Sequence, residues 1–189
     1  QMAEAGVALA ARRLTAAGQL QRLIDDAGRS SAFPPARLGI TGTLEDALLD
    51  LPAVDVEDRF RDELKAGRSR DQAAGRAIIG PHRSDLATQH AITGAEAAEC
   101  SSGEQKALLI SIVFAKARLA REQHGGEAPV VLLDEVTAHL DGKRRAALFD
   151  EVCALGAQAW MTGTDRSQFS PLGRNAQFLH AESGRVVPA

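Results

Sequence analysis

The run Val130-Val131-Leu132-Leu133-Asp134-Glu135 sets four aliphatic residues directly before two acids. A run of buried aliphatic residues of this kind describes a central strand. The acids then fall at the C-terminal edge of a sheet, where ligands bind in open α/β folds. In phosphoryl chemistry the first acid of such a pair holds Mg²⁺, and the second orients or deprotonates the attacking water. Taken alone, the run is more often a strand followed by a solvated acidic turn.

Its neighbours narrow the choice. Directly downstream lie Val136-Thr137-Ala138-His139-Leu140-Asp141 and then a helical pattern from Asp141 to about Leu155, for which Asp141 is a good N-cap. Upstream, Cys100-Ser101-Ser102-Gly103-Glu104-Gln105-Lys106 opens an apolar helix from Ser102 to about Gln123. A serine and a glycine at a helix start present backbone amides and the positive end of the dipole, which suit a phosphate. Ser101 and Glu104 also satisfy a capping box, which explains the helix start without any ligand.

Further strands are expected at Ser84–Ala91, Gln158–Met161, Gln177–His180 and Arg185–Val187, the last two forming a hairpin about Ser183-Gly184. Strands alternating with helices imply crossover units and a sheet with a parallel part, so the fold class is α/β. Residues 1–75 read differently, as a mainly helical segment. A helix runs from Met2 to about Ser30 and stops at Phe33-Pro34-Pro35. A short strand follows at Arg37–Thr41, and a second helix runs from about Val56 to Ala74 with Phe60 and Leu64 on one face.

Composition constrains the partners. Of 189 residues, 44% are hydrophobic and 25% charged, as in ordinary globular chains. The net charge is −3, and acids outnumber bases on both sides of residue 75, so no basic excess announces nucleic acid. No apolar run approaches the ~20 residues of a membrane span. Two cysteines, Cys100 and Cys153, are too few for a disulfide framework and fit a reducing, cytoplasmic setting. The five histidines lack zinc-like spacing with them. Cys100 is either a reactive thiol or a small buried hydrophobe. Lys143-Arg144-Arg145 reads as a solvated surface rather than a DNA contact.

The order of a serine-glycine helix, an aliphatic strand ending in Asp-Glu and a small-residue turn ending in Leu-Asp resembles the ABC-type ATPases. Three further places make the resemblance specific to the RecF family of DNA repair and replication proteins. They are Gly80-Pro81-His82-Arg83-Ser84-Asp85-Leu86, the turn Met161-Thr162-Gly163-Thr164-Asp165, and the Phe60, Leu64, Asp71 spacing. The resemblance implies the C-terminal half of an ABC/SMC-like ATPase head at 76–189, with 1–75 a remnant of the helical arm. It implies Asp134 as the magnesium residue and Glu135 as general base. Ser101, Ser102, Gly103 and Glu104 would be the signature that meets ATP on the opposite subunit, and Asp141 would close the D-loop across the interface. His82 and Arg83 either meet nucleotide or the opposite subunit or serve a structural hydrogen-bonding role, and His139 would meet the dimer partner. The switch histidine has no counterpart, its place being taken by Thr164 or Asp165.

ATP and Mg²⁺ are the implied cofactors. The implied partners are duplex or gapped DNA, RecR, RecO and a second copy of the chain bound through ATP, with recombinase loading as the outcome. The sequence departs from the pattern where no Gly-x-x-x-x-Gly-Lys-Ser/Thr occurs, so the loop that cradles β- and γ-phosphates is not in this chain. The expectation is a piece of a longer protein, inactive alone as an ATPase. An SMC-like or nuclease-type head, and a non-enzymatic interaction module that keeps the signature helix as scaffold, are the competing readings.

Overall fold

The computed structural model describes residues 1–28, 31–138 and 140–188. In chain order the elements are α1 (Met2–Ala27), β1 (Ala36–Thr41), α2 (Thr43–Asp50), α3 (Ala53–Ala74), β2 (Asp85–His90), α4 (Ser102–Gln123), β3 (Val131–Leu133), α5 (Gly142–Leu155), β4 (Ala159–Met161), β5 (Leu179–Glu182) and β6 (Arg185–Pro188). Single 3₁₀ turns occupy Pro81–Arg83 and Ala97–Glu99, and a kinked 3₁₀ stretch runs over Arg166–Asn175. None of the described helices is long and apolar enough to cross a membrane.

The aliphatic run is a strand, and α5 carries the chain from β3 to a parallel β4, with Val131, Leu132 and Leu133 opposite Ala159, Trp160 and Met161. That is the expected crossover unit. The run is not the buried central strand expected: among the described residues β3 pairs with β4 alone, and alternation leaves Val131 and Leu133 buried but Leu132 and Trp160 75% and 53% exposed. The covered side packs on Leu148, Phe149, Val152 and Leu155 of α5 and on Ala107, Ile110 and Phe114 of α4. β5 and β6 form the expected antiparallel hairpin.

The first 75 residues contain three helices and one strand. The strand does not stay within its segment: β1 pairs antiparallel with β2 over six residue pairs, Ala36 opposite His90 through Thr41 opposite Asp85. Likewise Leu23 and Ile24 of α1 are buried with Leu108, Ala115 and Leu119 of α4. Phe33 joins the core around Phe114, at 6.4 Å between ring centroids. A second apolar cluster holds α1 to α2 and α3 through Ala3, Val7, Ala10, Leu44, Val56 and Phe60. Phe60 and Leu64 thus share one face as expected, with Leu64 half-buried at its edge.

Two helix boundaries and two elements, the helix at Thr43–Asp50 and the 3₁₀ stretch at Arg166–Asn175, differ from the sequence expectation, and the strand expected at Gln177–His180 runs over Leu179–Glu182. The first helix ends at Ala27, and Ser30 lies outside the described residues. The second begins at Ala53, after Pro52, whose fixed φ suits a helix start. The helix at Thr43–Asp50 was not expected, although Leu44, Ala47 and Leu48 carry its one-sided spacing.

Candidate functional site

β3 ends at Leu133, so the next two residues leave the sheet at its C-terminal edge, and both acids are exposed there. The parallel register sets the following residue of β4 beside them. Thr162 donates its amide to the Leu133 carbonyl at 3.1 Å. Its hydroxyl then donates to Asp134 Oδ1 and accepts the Glu135 amide at 2.8 Å. Glu135 adopts a left-handed backbone, φ 46°, a conformation that side-chain-bearing residues other than Asn and Asp seldom take.

The opposite side of this turn is held by α4. Lys106 Nζ donates to the Glu135 carbonyl at 2.5 Å and to the Ala138 carbonyl at 2.9 Å. Desolvation of the ammonium lowers the Lys106 pKa from its ordinary value, and the Glu135 carboxylate opposes that shift. Lys106 therefore ties the acidic turn to the first turns of the helix that Ser101 opens.

At that opening the capping box is complete. Ser101 donates its hydroxyl to Glu104 Oε2 at 2.6 Å and its amide to the same oxygen at 2.9 Å, and the Glu104 amide donates to Ser101 Oγ at 3.4 Å. These bonds, those of Ser101 foremost, hold the Glu104 carboxyl below its ordinary range. Ser101 and Ser102 are exposed and Gly103 is half-buried. The Ser102 and Gly103 amides, free as the first of any helix are, face no partner among the described residues. Cys100 is partly covered beside Leu108 and Ile112. Its thiol is pushed up by desolvation and then by Glu104 and Glu99, which fits the hydrophobe rather than the reactive thiol.

Asp141 caps α5, accepting the Arg144 amide at 2.8 Å, and this contact first, with Arg144 and Lys143 nearby, lowers its pKa. Of the basic triplet, Arg144 also pairs with Asp141 at 3.8 Å and Arg145 donates to the Leu140 carbonyl at 3.4 Å, so both serve the cap. His139 lies outside the described residues.

The Gly80–Leu86 segment is fixed from beneath. Gly80 has φ 133°, a conformation that favours glycine. Arg13 donates to the Pro81 carbonyl, and Ser84 donates to the wholly buried Glu45 at 2.7 Å. Asp71 accepts the Ile78 amide at 3.0 Å, which gives its spacing from Phe60 and Leu64 a structural purpose. His82 Nε2 lies 3.0 Å from the Ala77 carbonyl, and the exposed Arg83 guanidinium has no bonded partner among the described residues.

In the Met161–Asp165 turn, Gly163 is required by space. A Cβ there would stand 2.7 Å from the Phe169 ring and 3.1 Å from Thr137 Oγ1. Thr164 is exposed and makes no hydrogen bond among the described residues, and Asp165 caps the next turn by accepting the Ser167 amide at 2.8 Å. The residue of this turn that meets the acids is Thr162, which the sequence reading passed over, as it did Lys106. No hydrogen bond or ion pair joins His82, Arg83 or Thr164 to the acidic pair among the described residues.

For Mg²⁺ the donor set is one carboxylate. Asp134 spends Oδ1 on Thr162 and keeps Oδ2 without a bonded partner among the described residues. Mg²⁺ is commonly held by one or two carboxylates, with water and substrate phosphate completing its shell, so Asp134 fits such a role. Among the described residues no group of three metal-binding side chains occurs.

The chain is 50% identical over 187 residues, 99% of its length, to the DNA replication and repair protein RecF of Agrobacterium fabrum. To the protein of that name from Mesorhizobium japonicum it is 51% identical over 188 residues. It spans about half the length of these curated relatives, 49% in each case. No family model matches the chain. Among solved structures, the recombination mediator protein RecF-ATPrS in the RecFOR pathway superposes with a TM-score of 0.66 at 21% identity, covering 88% of this chain and 43% of that one. The corresponding RecF-ATP structure gives 0.63 at 20% identity, covering 87% and 43%. These likenesses establish the fold.

Proposed function

Because this chain is homologous over its whole length to the C-terminal half of the RecF DNA replication and repair proteins, we propose that it supplies the signature helix and acidic strand tip of an ATP-dependent DNA repair switch. The observation that carries the reading is the joining of two elements: the turn that presents exposed Asp134 and Glu135 after β3 is bonded, through the Glu135 and Ala138 carbonyls and Lys106, to the helix opened by Ser101.

In this reading Asp134 holds Mg²⁺, whose charge offsets that of the β- and γ-phosphates. Glu135 accepts the proton of the attacking water as general base. Ser101 and Gly103, with Ser102 and Glu104 completing the helix start, face the γ-phosphate bound by a second copy of the chain. The free amides and helix dipole there favour the charge that develops on the transferring group. Asp141 closes the D-loop across the same interface. His82 and Arg83 contact nucleotide or the opposite subunit, and Thr164 stands at the switch position. Residues 1–75 correspond to the helical arm and 76–189 to the head.

ATP then joins two subunits, and hydrolysis releases them, a population shift driven by ligand bound at the interface. The setting is the cytoplasm, on duplex or gapped DNA. RecR, and RecO through it, are the partners in placing recombinase. The phosphate-binding loop has to come from sequence outside these residues, so the chain alone is expected to show no Mg-ATP turnover sensitive to Glu135→Gln.

The test uses the intact protein. Glu135→Gln is expected to reduce turnover by about 100-fold or more, the scale of a lost general base, while raising the dimer fraction in sizing chromatography with ATP. An unchanged dimer fraction would count against Glu135 as the base.

A further inference from the structure

Lys106 takes no part in the chemical steps of the reading above, yet it makes the bonds that hold the acidic turn to α4. Its Nζ donates to the carbonyls of Glu135 and Ala138, and the Ala138 amide closes the turn after β3 on the Glu135 carbonyl. A lysine drawn partly out of water keeps its charge at a cost that hydrogen bonds must offset. Here both acceptors are backbone carbonyls rather than a carboxylate, so the ammonium fixes chain direction instead of neutralising an acid.

The Glu135 backbone is held on its other side as well. Its amide donates to Thr162 Oγ1, and its carbonyl also accepts the Ala138 amide at 3.2 Å. With both polar groups of the main chain anchored at φ 46°, the side chain leaves the turn in one direction. Removing Lys106 leaves the carbonyl with a single weaker donor and frees the turn from α4.

We propose that Lys106 is a positioning residue that couples the two ATP sites of the dimer by fixing the Glu135 backbone to the signature helix. The inference rests on the ATPase reading and deepens it. Ser101 serves the nucleotide of the opposite subunit, whereas Glu135 serves the nucleotide of its own. Lys106 stands on the helix of the first and bonds the backbone of the second. A shift of α4 on engaging the partner's triphosphate is passed to the carboxylate through two hydrogen bonds. Such coupling is a free energy shared between sites and is read as cooperativity.

The experiment compares the intact protein with K106M, which keeps the aliphatic stem and removes the donors, and with K106R, which restores a donor. Wild-type turnover is expected to rise with ATP at a Hill coefficient above 1. In K106M the Hill coefficient falls to about 1 and kcat drops about 10-fold or more, whereas half-saturating ATP stays within about 3-fold, as positioning losses do. K106R recovers part of both. Hydrogen exchange at the Ala138 amide, which needs no catalysis, is expected to quicken about 10-fold in K106M, as loss of local protection implies.

Unchanged exchange and an unchanged Hill coefficient in K106M would overturn the role of Lys106 while leaving the ATPase reading intact. A wild-type Hill coefficient of 1 overturns the coupling. Loss of kcat, ATP affinity and melting temperature together, without rescue in K106R, marks a structural lysine and also overturns it. Turnover indifferent to Glu135→Gln overturns the ATPase reading itself, and the coupling with it.

Discussion

Glu135 carries strain that its neighbours hold in place. A side-chain-bearing residue at φ 46° costs about 1–2 kcal/mol relative to a right-handed one, and the bonds from Thr162, Lys106 and Ala138 keep it there. Glycine pays no such cost. Glu135→Gly is therefore expected to be more stable than Glu135→Ala by about 1 kcal/mol in chemical denaturation. The opposite order, normal for a regular helix position, would mean that the left-handed turn is not populated. The acids themselves were legible in the sequence because an aliphatic run ending in Asp-Glu is a local pattern. Lys106 and Thr162 were not, since they reach Glu135 across 29 and 27 residues, and neither periodicity nor local spacing records such a contact.

At the scale of elements, capping is what fixes the site. α4 begins at Ser101 and α5 at Asp141 because each cap side chain accepts an amide of its own first turn. Both starts were readable for that reason, since caps are short-range. The Glu104 carboxyl is held below its ordinary range by its bonds to Ser101. A depressed folded pKa gives stability that is present above the unfolded value and lost as pH falls through the folded one. Glu104→Gln, which retains an acceptor but does not titrate, is thus expected to be less stable than wild type at neutral pH. The difference should shrink as pH falls below about 4, the region of an unperturbed Glu. Thermal melts of the two proteins from pH 7 to pH 3 measure it, and a gap that widens on acidification would contradict the assignment. What escaped the sequence at this scale was the helix of Thr43–Asp50, eight residues long, and the 3₁₀ stretch of Arg166–Asn175. The first is short enough for its pattern to pass as a loop, and Pro171 and Gly173 interrupt the second.

Across the whole molecule the two parts seen in the sequence are interleaved. Secondary structure changes character near residue 76, but β1 pairs with β2 across that point and α1 shares a core with α4. Local pattern reveals which residues form elements; it does not reveal that a strand of the first segment pairs with one of the second, because register is a long-range property. Residues 76–189 alone would leave the β2 edge unpaired and uncover Leu108, Ala115 and Leu119. That piece is expected to show no cooperative unfolding transition, in contrast to the chain of 1–189. A sharp melt in circular dichroism from the shorter piece would show instead that the head portion is self-sufficient. The buried Leu148, untouched by solvent in the α5 core, should cost about 2–5 kcal/mol when cut to alanine in the longer chain.

The alternation along β3 and β4 has an optical consequence. Trp160, the sole tryptophan of the sequence, stands half in solvent opposite Leu132 on the strand next to the acids. Its emission in this chain should be red-shifted and open to acrylamide quenching. Any polypeptide that settles over that uncovered side will move the spectrum toward the blue, giving a native fluorophore one strand away from Asp134 and Glu135.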